Sequence, residues 1–241
     1  GSDTVFQDLV IQNGWSTFGA GMYNNSSSPT LIRCWFISNT APTDGGAMYN
    51  FYSDPTLNTC TFENNNADNG GGMYNFYSNP TLNTCTFENN TGDNDGGGMY
   101  NIGSSFTLTD CAFTGNNAQE GGGVFNDNAA NPLLTECTFT DNSAILRGGG
   151  MRNYFSSPVL NTCTFTSNTA NYGAGMYNDE SDATLNTCTF SGNIADYGGG
   201  MYNWGGSHTL TGCMFTSNTS TASGAGMYND ESDATLNTCT F

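Results

Sequence analysis

Apolar residues return along this chain at fixed offsets instead of in runs. In residues 45–65 the positions that stay apolar from repeat to repeat are Met48, Leu57, Cys60 and Phe62. The same positions recur every 25 to 27 residues as far as Phe241. The Met position holds eight Met and one Val, Val124. A fixed period of this length marks a solenoid, in which each repeat is one unit stacked on the last. No stretch of ten or more residues carries a 3.6-residue spacing, and Gly, Ser and Asn, with Pro in some repeats, punctuate the chain throughout. The pattern therefore predicts two short strands per repeat joined by tight turns.

The second strand reads Leu-x-x-Cys-x-Phe-x-x-Asn, as at Leu57, Cys60, Phe62 and Asn65. Residues two apart share a face, so Cys and Phe point to one core. Phe6, Leu9 and Ile11 fill the Leu, Cys and Phe places at the start of the chain. The first strand lies in a block Gly-Gly-Gly-Met-Tyr-Asn that begins at Gly19, Gly45, Gly70, Gly96, Gly121, Gly148, Gly173, Gly198 and Gly224. Met points inward, and so does the Asn two residues on: Asn24, Asn50, Asn75, Asn101, Asn126, Asn153, Asn178, Asn203 and Asn229. A buried amide needs partners, and one Asn per turn predicts a ladder of side-chain hydrogen bonds. The Tyr between them is then expected to face outward, and Arg152 at that position supports its exposure. The glycines imply either a positive φ or a second backbone passing close by.

These elements predict an all-β parallel β-helix of about nine turns in one repetitive domain, 1–241. At about 4.8 Å per turn the rod would be ~45 Å long. A leucine-rich repeat shares the strand spacing and is the structural competitor, but Gly-Gly-Gly-Met-Tyr-Asn makes a poor helix for its return segment. Residues 173–190 and 224–241 are identical, GAGMYNDESDATLNTCTF. Such copying suits a function spread along a rod, and the array is expected to continue beyond Phe241.

Two motifs taken together, Phe-x-x-Asn and Gly-Gly-Ala-apolar, resemble the repeats of the chlamydial polymorphic outer-membrane proteins. Here they read Phe36-x-x-Asn39 with Gly45-Gly46-Ala47-Met48, and Phe62-x-x-Asn65 with Gly70-Gly71-Gly72-Met73. Phe87/Asn90, Phe113/Asn116, Phe139/Asn142, Phe165/Asn168, Phe190/Asn193 and Phe215/Asn218 continue the series. The resemblance implies a right-handed β-helix, exposure at the cell surface and adhesion. Met in place of an aliphatic residue, and frequent Gly in place of Ala, are departures from it.

Charge narrows the partners. The net charge is −18, with Arg33, Arg147 and Arg152 as the only basic residues besides His208. Nothing can neutralise a run of phosphates, which excludes nucleic acid. No run of roughly 18 apolar residues exists to insert in a membrane. The acidity suits solubility of a repetitive molecule. Ca2+ is the one cofactor that the acidic turns Asp179-Glu180-Ser181-Asp182 and Asp230-Glu231-Ser232-Asp233 could hold, although a solvated turn explains them as well.

Nine cysteines, Cys34, Cys60, Cys85, Cys111, Cys137, Cys163, Cys188, Cys213 and Cys239, fall one per turn. In register their Cβ atoms would stand farther apart than the ~3.8 Å a disulfide prefers, so free thiols packed as small apolar groups are expected. The duplicated acidic clusters are a poor match for a catalytic carboxylate pair, and His208 is expected in a solvated turn, so no enzyme is predicted. Outward Thr-x-Thr pairs such as Thr59/Thr61 resemble the ice-binding face of some insect antifreeze β-helices, but Arg33/Trp35 and Gly212/Met214 break the array. The main functional lead is the outward aromatic stripe Tyr49, Tyr74, Tyr100 and Tyr202, widened by Phe51, Phe76, Tyr154 and Trp204. An exposed apolar patch of that kind marks an interface. The sequence thus predicts an extracellular or cell-surface stalk, fibre or adhesin that self-associates end to end or laterally. Its rivals are a glycan-binding module using the stripe and, less well supported, an ice-binding or polysaccharide-degrading β-helix. Glycans or a host or neighbouring cell surface are the other candidate partners.

Overall fold

A computed structural model describes residues 4–241; residues 1–3 of the predicted domain lie outside the described residues. Every strand pairs in parallel with its counterpart one turn away, and no helix occurs among the described residues. The all-β parallel solenoid is therefore the observed fold. The leucine-rich alternative fails because each turn is closed by strands and corners, with no helical return.

A full turn has four strands, two more than the sequence pattern suggests, although in the turn that starts at Met151 the fourth is reduced to isolated bridges at Thr169 and Tyr172. In one turn they are Met48–Phe51, Thr56–Asn58, Thr61–Glu63 and Asn66–Asn69. We call the four resulting faces the Met, Leu, Phe and Ala faces, after a buried residue of each. The expected second strand is cut because Thr59 adopts φ 55°, and the chain bends again at Asn64, φ 55°. These left-handed corners let Leu57 and Cys60, three residues apart, both point inward, where neither is more than 1% exposed. The fourth strand has no apolar signature in the sequence because its inward residue is small, Ala41, Ala67, Gly92 and Ala118 in successive turns. Two more left-handed residues complete the turn, Tyr52 at φ 48° and Gly70 at φ 64°.

Backbone ladders run through the corners as well as the strands. The Thr59 N–H donates to Asn83 O at 2.9 Å, and the Asn64 N–H to Glu88 O at 3.0 Å. Buried polar backbone is thereby satisfied all round the turn.

The interior is a set of side-chain columns. Phe36 to Phe241 stack with ring centroids 4.5 to 4.9 Å apart and planes within 5° of parallel. The β-sheet spacing sets that separation, and each buried Phe contributes about 1.5–3 kcal/mol relative to exposure. Leu, Cys and Met columns fill the rest. Phe6 and Ile11 continue the Leu and Phe columns by pairing with Leu31 and Phe36, as the sequence predicts.

The predicted amide ladder is complete. Each Asn side chain from Asn24 to Asn203 donates to the Oδ1 of the next one up, at 2.7 to 3.1 Å, ending on Asn229. A second ladder runs through the Asn of Phe-x-x-Asn. Asn65 Oδ1 accepts both the backbone N–H and the Nδ2 of Asn39, while Asn65 Nδ2 donates to Phe36 O. Serines supply a third series: Ser53 Oγ accepts the Ser27 N–H and donates to Phe51 O. All nine cysteines are free thiols, eight of them buried, and Cys85 Sγ donates to Asn83 O at 3.4 Å. Burial, the largest influence on it, pushes the Cys34 thiol up.

Candidate functional site

The first glycine of each block makes the bend on which the candidate site depends. At Gly45, φ 67°, an added Cβ would lie 2.5 Å from Met48 O and 3.0 Å from the Tyr49 Cβ. The chain therefore turns back tightly from the Ala face into the Met face. That bend brings the last residue of the Ala face beside the outward side of the Met face. Phe18, at this pre-glycine position, packs edge-on against Tyr49 with centroids 5.6 Å apart.

Three outward columns run side by side as a result. The floor is Tyr23, Tyr49, Tyr74, Tyr100, Phe125, Arg152, Tyr177, Tyr202 and Tyr228, paired strand to strand in register. One wall is the pre-glycine series, in which Asp44, Asn69, Asp95, Glu120 and Arg147 are register partners and Tyr172 and Tyr197 continue. The other wall follows the ladder Asn and reads Phe51, Phe76, Ile102, Asp127, Tyr154, Asp179, Trp204 and Asp230.

This geometry corrects the expected aromatic stripe. Tyr49, Tyr74, Tyr100 and Tyr202 do point away from the central core, but each is at most 8% exposed. Their rings cover one another, with Tyr49 and Tyr74 stacked at 4.9 Å, and the walls close over the edges. Burial pushes the Tyr49 hydroxyl up to about 12. Phe51, Phe76 and Tyr154 are half-buried against this second apolar cluster, and only Trp204 of the predicted set is open, at 40% exposure. The open aromatics lie one residue farther along, at the left-handed corner. Tyr52 and Tyr77 are 54% and 43% exposed and stack at 5.7 Å. Their signal in the sequence was the Phe-Tyr-Ser run of both copies, in which alternation carries Tyr out only if the strand ends before it.

Arg152 also departs from expectation. It lies in the floor, buried, with its guanidinium 4.5 Å from the Phe125 ring centroid. It forms ion pairs with Glu120 on one wall and with Asp179 on the other, the latter at 3.5 Å. Arg147 shares Glu120 at 3.1 Å and stands 5.5 Å over the Tyr177 ring. Burial draws the Arg152 guanidinium down and raises the Asp179 carboxyl, while their mutual attraction opposes both shifts. Asp95, also raised by burial, is pushed up to about 6. Tyr100 and Tyr202 donate hydroxyl hydrogen bonds to Asp127 and Asp230, at 3.0 and 3.1 Å.

Beyond Arg152 the groove opens into a hollow of about 240 Å3, lined by Arg147, Tyr172, Tyr177, Asp179, Tyr202, Trp204 and Asp230. Asp179 Oδ1 is buried there without a hydrogen-bond partner.

His208 is not in a solvated turn: it is 1% exposed, and its Nδ1 accepts the Ala183 N–H at 3.2 Å. It occupies the inward place that Pro55 and Pro80 fill in other turns, since His208 O accepts the Thr235 N–H just as Pro55 O accepts the Thr81 N–H. The acidic turn 179–182 is divided: Asp179 is buried, Glu180 is exposed at a corner, and Asp182 Oδ1 accepts the Ser207 N–H. No group of three or more His, Cys, Asp or Glu side chains suited to a metal ion occurs among the described residues. The Thr-x-Thr pairs do not form a flat array, because Thr59, Thr84 and Thr162 sit at left-handed corners while Thr61, Thr86 and Thr164 lie in strands.

No curated protein matches the chain. The sequence does match the family described as right handed beta helix region, over residues 1–126 and again over 83–220. With parallel strands in every turn and matches that together span most of its length, the chain belongs to the right-handed β-helix family.

Proposed function

We propose that this chain is a structural and adhesive rod, a stalk or fibre element displayed outside the cell. One observation carries the reading: the repeated residues are the ones that join turn to turn. Met, Leu, Cys and Phe fill the core, two Asn series bond vertically, and the Tyr series stacks along the groove floor. A repeat committed in this way supports length and stiffness. The variable positions lie on the walls and corners, where different turns can carry different contacts.

Self-association is part of the proposal. The exposed corner pair Tyr52 and Tyr77, with Phe51 and Phe76 beside it, offers an aromatic patch for lateral contact. The net charge of −18 favours pairing through such a patch over charge-matched contact between copies. The repeated, structural nature of the motifs also favours a scaffold over an enzyme.

Electron microscopy of the native material tests the reading, with filaments or cell-surface spikes expected. Particles that stay strictly monomeric at high concentration would count against self-association. Tyr52→Ser with Tyr77→Ser is expected to weaken lateral contact while leaving the rod folded.

A further inference from the structure

One stretch of the groove differs from the rest and carries a proposal of its own. Across three successive turns one wall reads Asp179, Trp204, Asp230, in strand register. The two Asp come from the identical copies 173–190 and 224–241, and Trp204 comes from the dissimilar turn between them. Facing them are Arg147 and Tyr172 from the other wall, with Tyr177 and Tyr202 as the floor.

We propose that this hollow binds a single neutral sugar residue of a glycan. Its volume, about 240 Å3, falls below the ~300 Å3 at which pockets for larger organic ligands begin, so one ring is the natural occupant. Trp204, 40% exposed, offers an apolar face on which the C–H face of a pyranose can lie. Tyr172 and Tyr202 meet at 89°, giving the hollow a second, perpendicular aromatic surface.

The polar groups are of both kinds, as a hydroxylated ring requires. Asp179 is 5% exposed and its Oδ1 has no partner, an acceptor whose desolvation is uncompensated until a donor reaches it. Arg147 has Nη1 on Glu120, which leaves its other N–H groups to donate. Sugar hydroxyls can donate to the first and accept from the second.

Charge selects among sugars. Asp179 and Asp230, on a chain of net charge −18, repel uronic and sialic acids. The Arg147 guanidinium, already over the Tyr177 ring, disfavours an organic cation in the same space. A neutral ring is what remains.

This site does not depend on self-association of the rod, and either proposal can fail alone. The test is a glycan array carrying neutral hexose-terminated and acid-terminated glycans, followed by titration of the monosaccharide that scores. Fluorescence is read in a Trp15→Phe, Trp35→Phe background, where Trp204 is the sole reporter. Neutral glycans are expected to bind and to shift Trp204 emission. Trp204→Ala should weaken binding about tenfold or more, as should Asp179→Asn, while Leu133→Ala, at an exposed position outside the hollow, leaves it unchanged. Asp stands at the Trp204 position in the two neighbouring turns, so the fold accepts loss of the indole; circular dichroism of Trp204→Ala, with Trp204→Phe as the conservative variant, checks this. No glycan bound, binding that survives Trp204→Ala in the folded protein, or a response only to acidic glycans would overturn the proposal.

Discussion

The guanidinium of Arg152 lies 4.5 Å from the Phe125 ring centroid, in a column that is otherwise aromatic. It is held from both sides, by Glu120 of the pre-glycine wall and Asp179 of the opposite wall. A buried cation with two carboxylates is held by its partners, and removing it strands them in a low-dielectric place. Arg152→Ala should therefore cost about 3–5 kcal/mol of local stability, read as a lower melting temperature and as faster hydrogen exchange in the flanking turns. Loss of no more than a surface ion pair's ~0.5 kcal/mol would show that the cluster is solvated.

The amide ladder gives a sharper test of how turns are joined. Asn101 receives the Asn75 amide at 2.7 Å and donates its own to Asn126 Oδ1 at 3.1 Å. Asn101→Leu removes both bonds and a third, from its Nδ2 to Phe125 O at 3.2 Å, leaving the Asn75 amide, Asn126 Oδ1 and Phe125 O each short of a partner. A loss of about 2–4 kcal/mol is expected, at roughly 1–3 per unsatisfied group partly offset by the new apolar contact. Asn25→Leu, on the exposed side of the same face, should change stability by no more than about 0.5 kcal/mol.

The contrast between what this sequence discloses and what it hides follows from the solenoid itself. Inward positions are read easily, because Met48, Leu57, Cys60 and Phe62 recur on every turn and the register adds their signal nine times over. The corners are not, since Thr59 looks like a strand residue and only the backbone shows it at φ 55°. The groove was hidden for a different reason. Alternation places Tyr49 outward, correctly, but whether outward means wet depends on Phe18, a residue of the preceding turn 31 positions away, folded over it by the glycine bend. His208 is hidden in the same way, because it takes the inward place of Pro55 and Pro80 without sharing their residue type.

The thiol column predicts a simple chemical result. Denatured, unreduced protein should titrate nine free thiols, since all nine cysteines are unbridged. In the folded rod the eight buried ones should react far more slowly than after denaturation. A thiol count near zero in the unreduced, denatured sample would mean that neighbouring turns are cross-linked.

The corners predict a stabilising substitution. Thr162 holds φ 56°, a region that costs a β-branched residue about 1–2 kcal/mol and that Asn tolerates. Gly212 already occupies the equivalent corner of another turn at φ 63°. Thr162→Asn is expected to raise stability by about 0.5–1 kcal/mol, seen as a higher denaturation midpoint with an unchanged m-value. A destabilised variant would mean that the Thr side chain contributes more at the corner than the strain it carries.

The groove wall predicts how stability should vary with pH. Asp95 is raised to about 6, mainly by burial and also by Asp127, with Arg152 pulling the other way. Unfolded, an Asp titrates near 3.9. Between those values the folded chain holds a proton that the unfolded chain has lost, so stability falls as pH rises from about 4 to about 6. His208 acts oppositely: its pKa is lowered, chiefly by burial, so its contribution is full above about 6.5 and is lost as pH falls from there toward the lowered folded value. The clean observable is the difference between wild type and Asp95→Asn. The variant should be more stable by about 2 kcal/mol at pH 7 and equal to wild type near pH 4, because only the ionised carboxylate is penalised. A gap that does not narrow with acid would assign the effect to packing or hydrogen bonding and remove the wall carboxylate as its source.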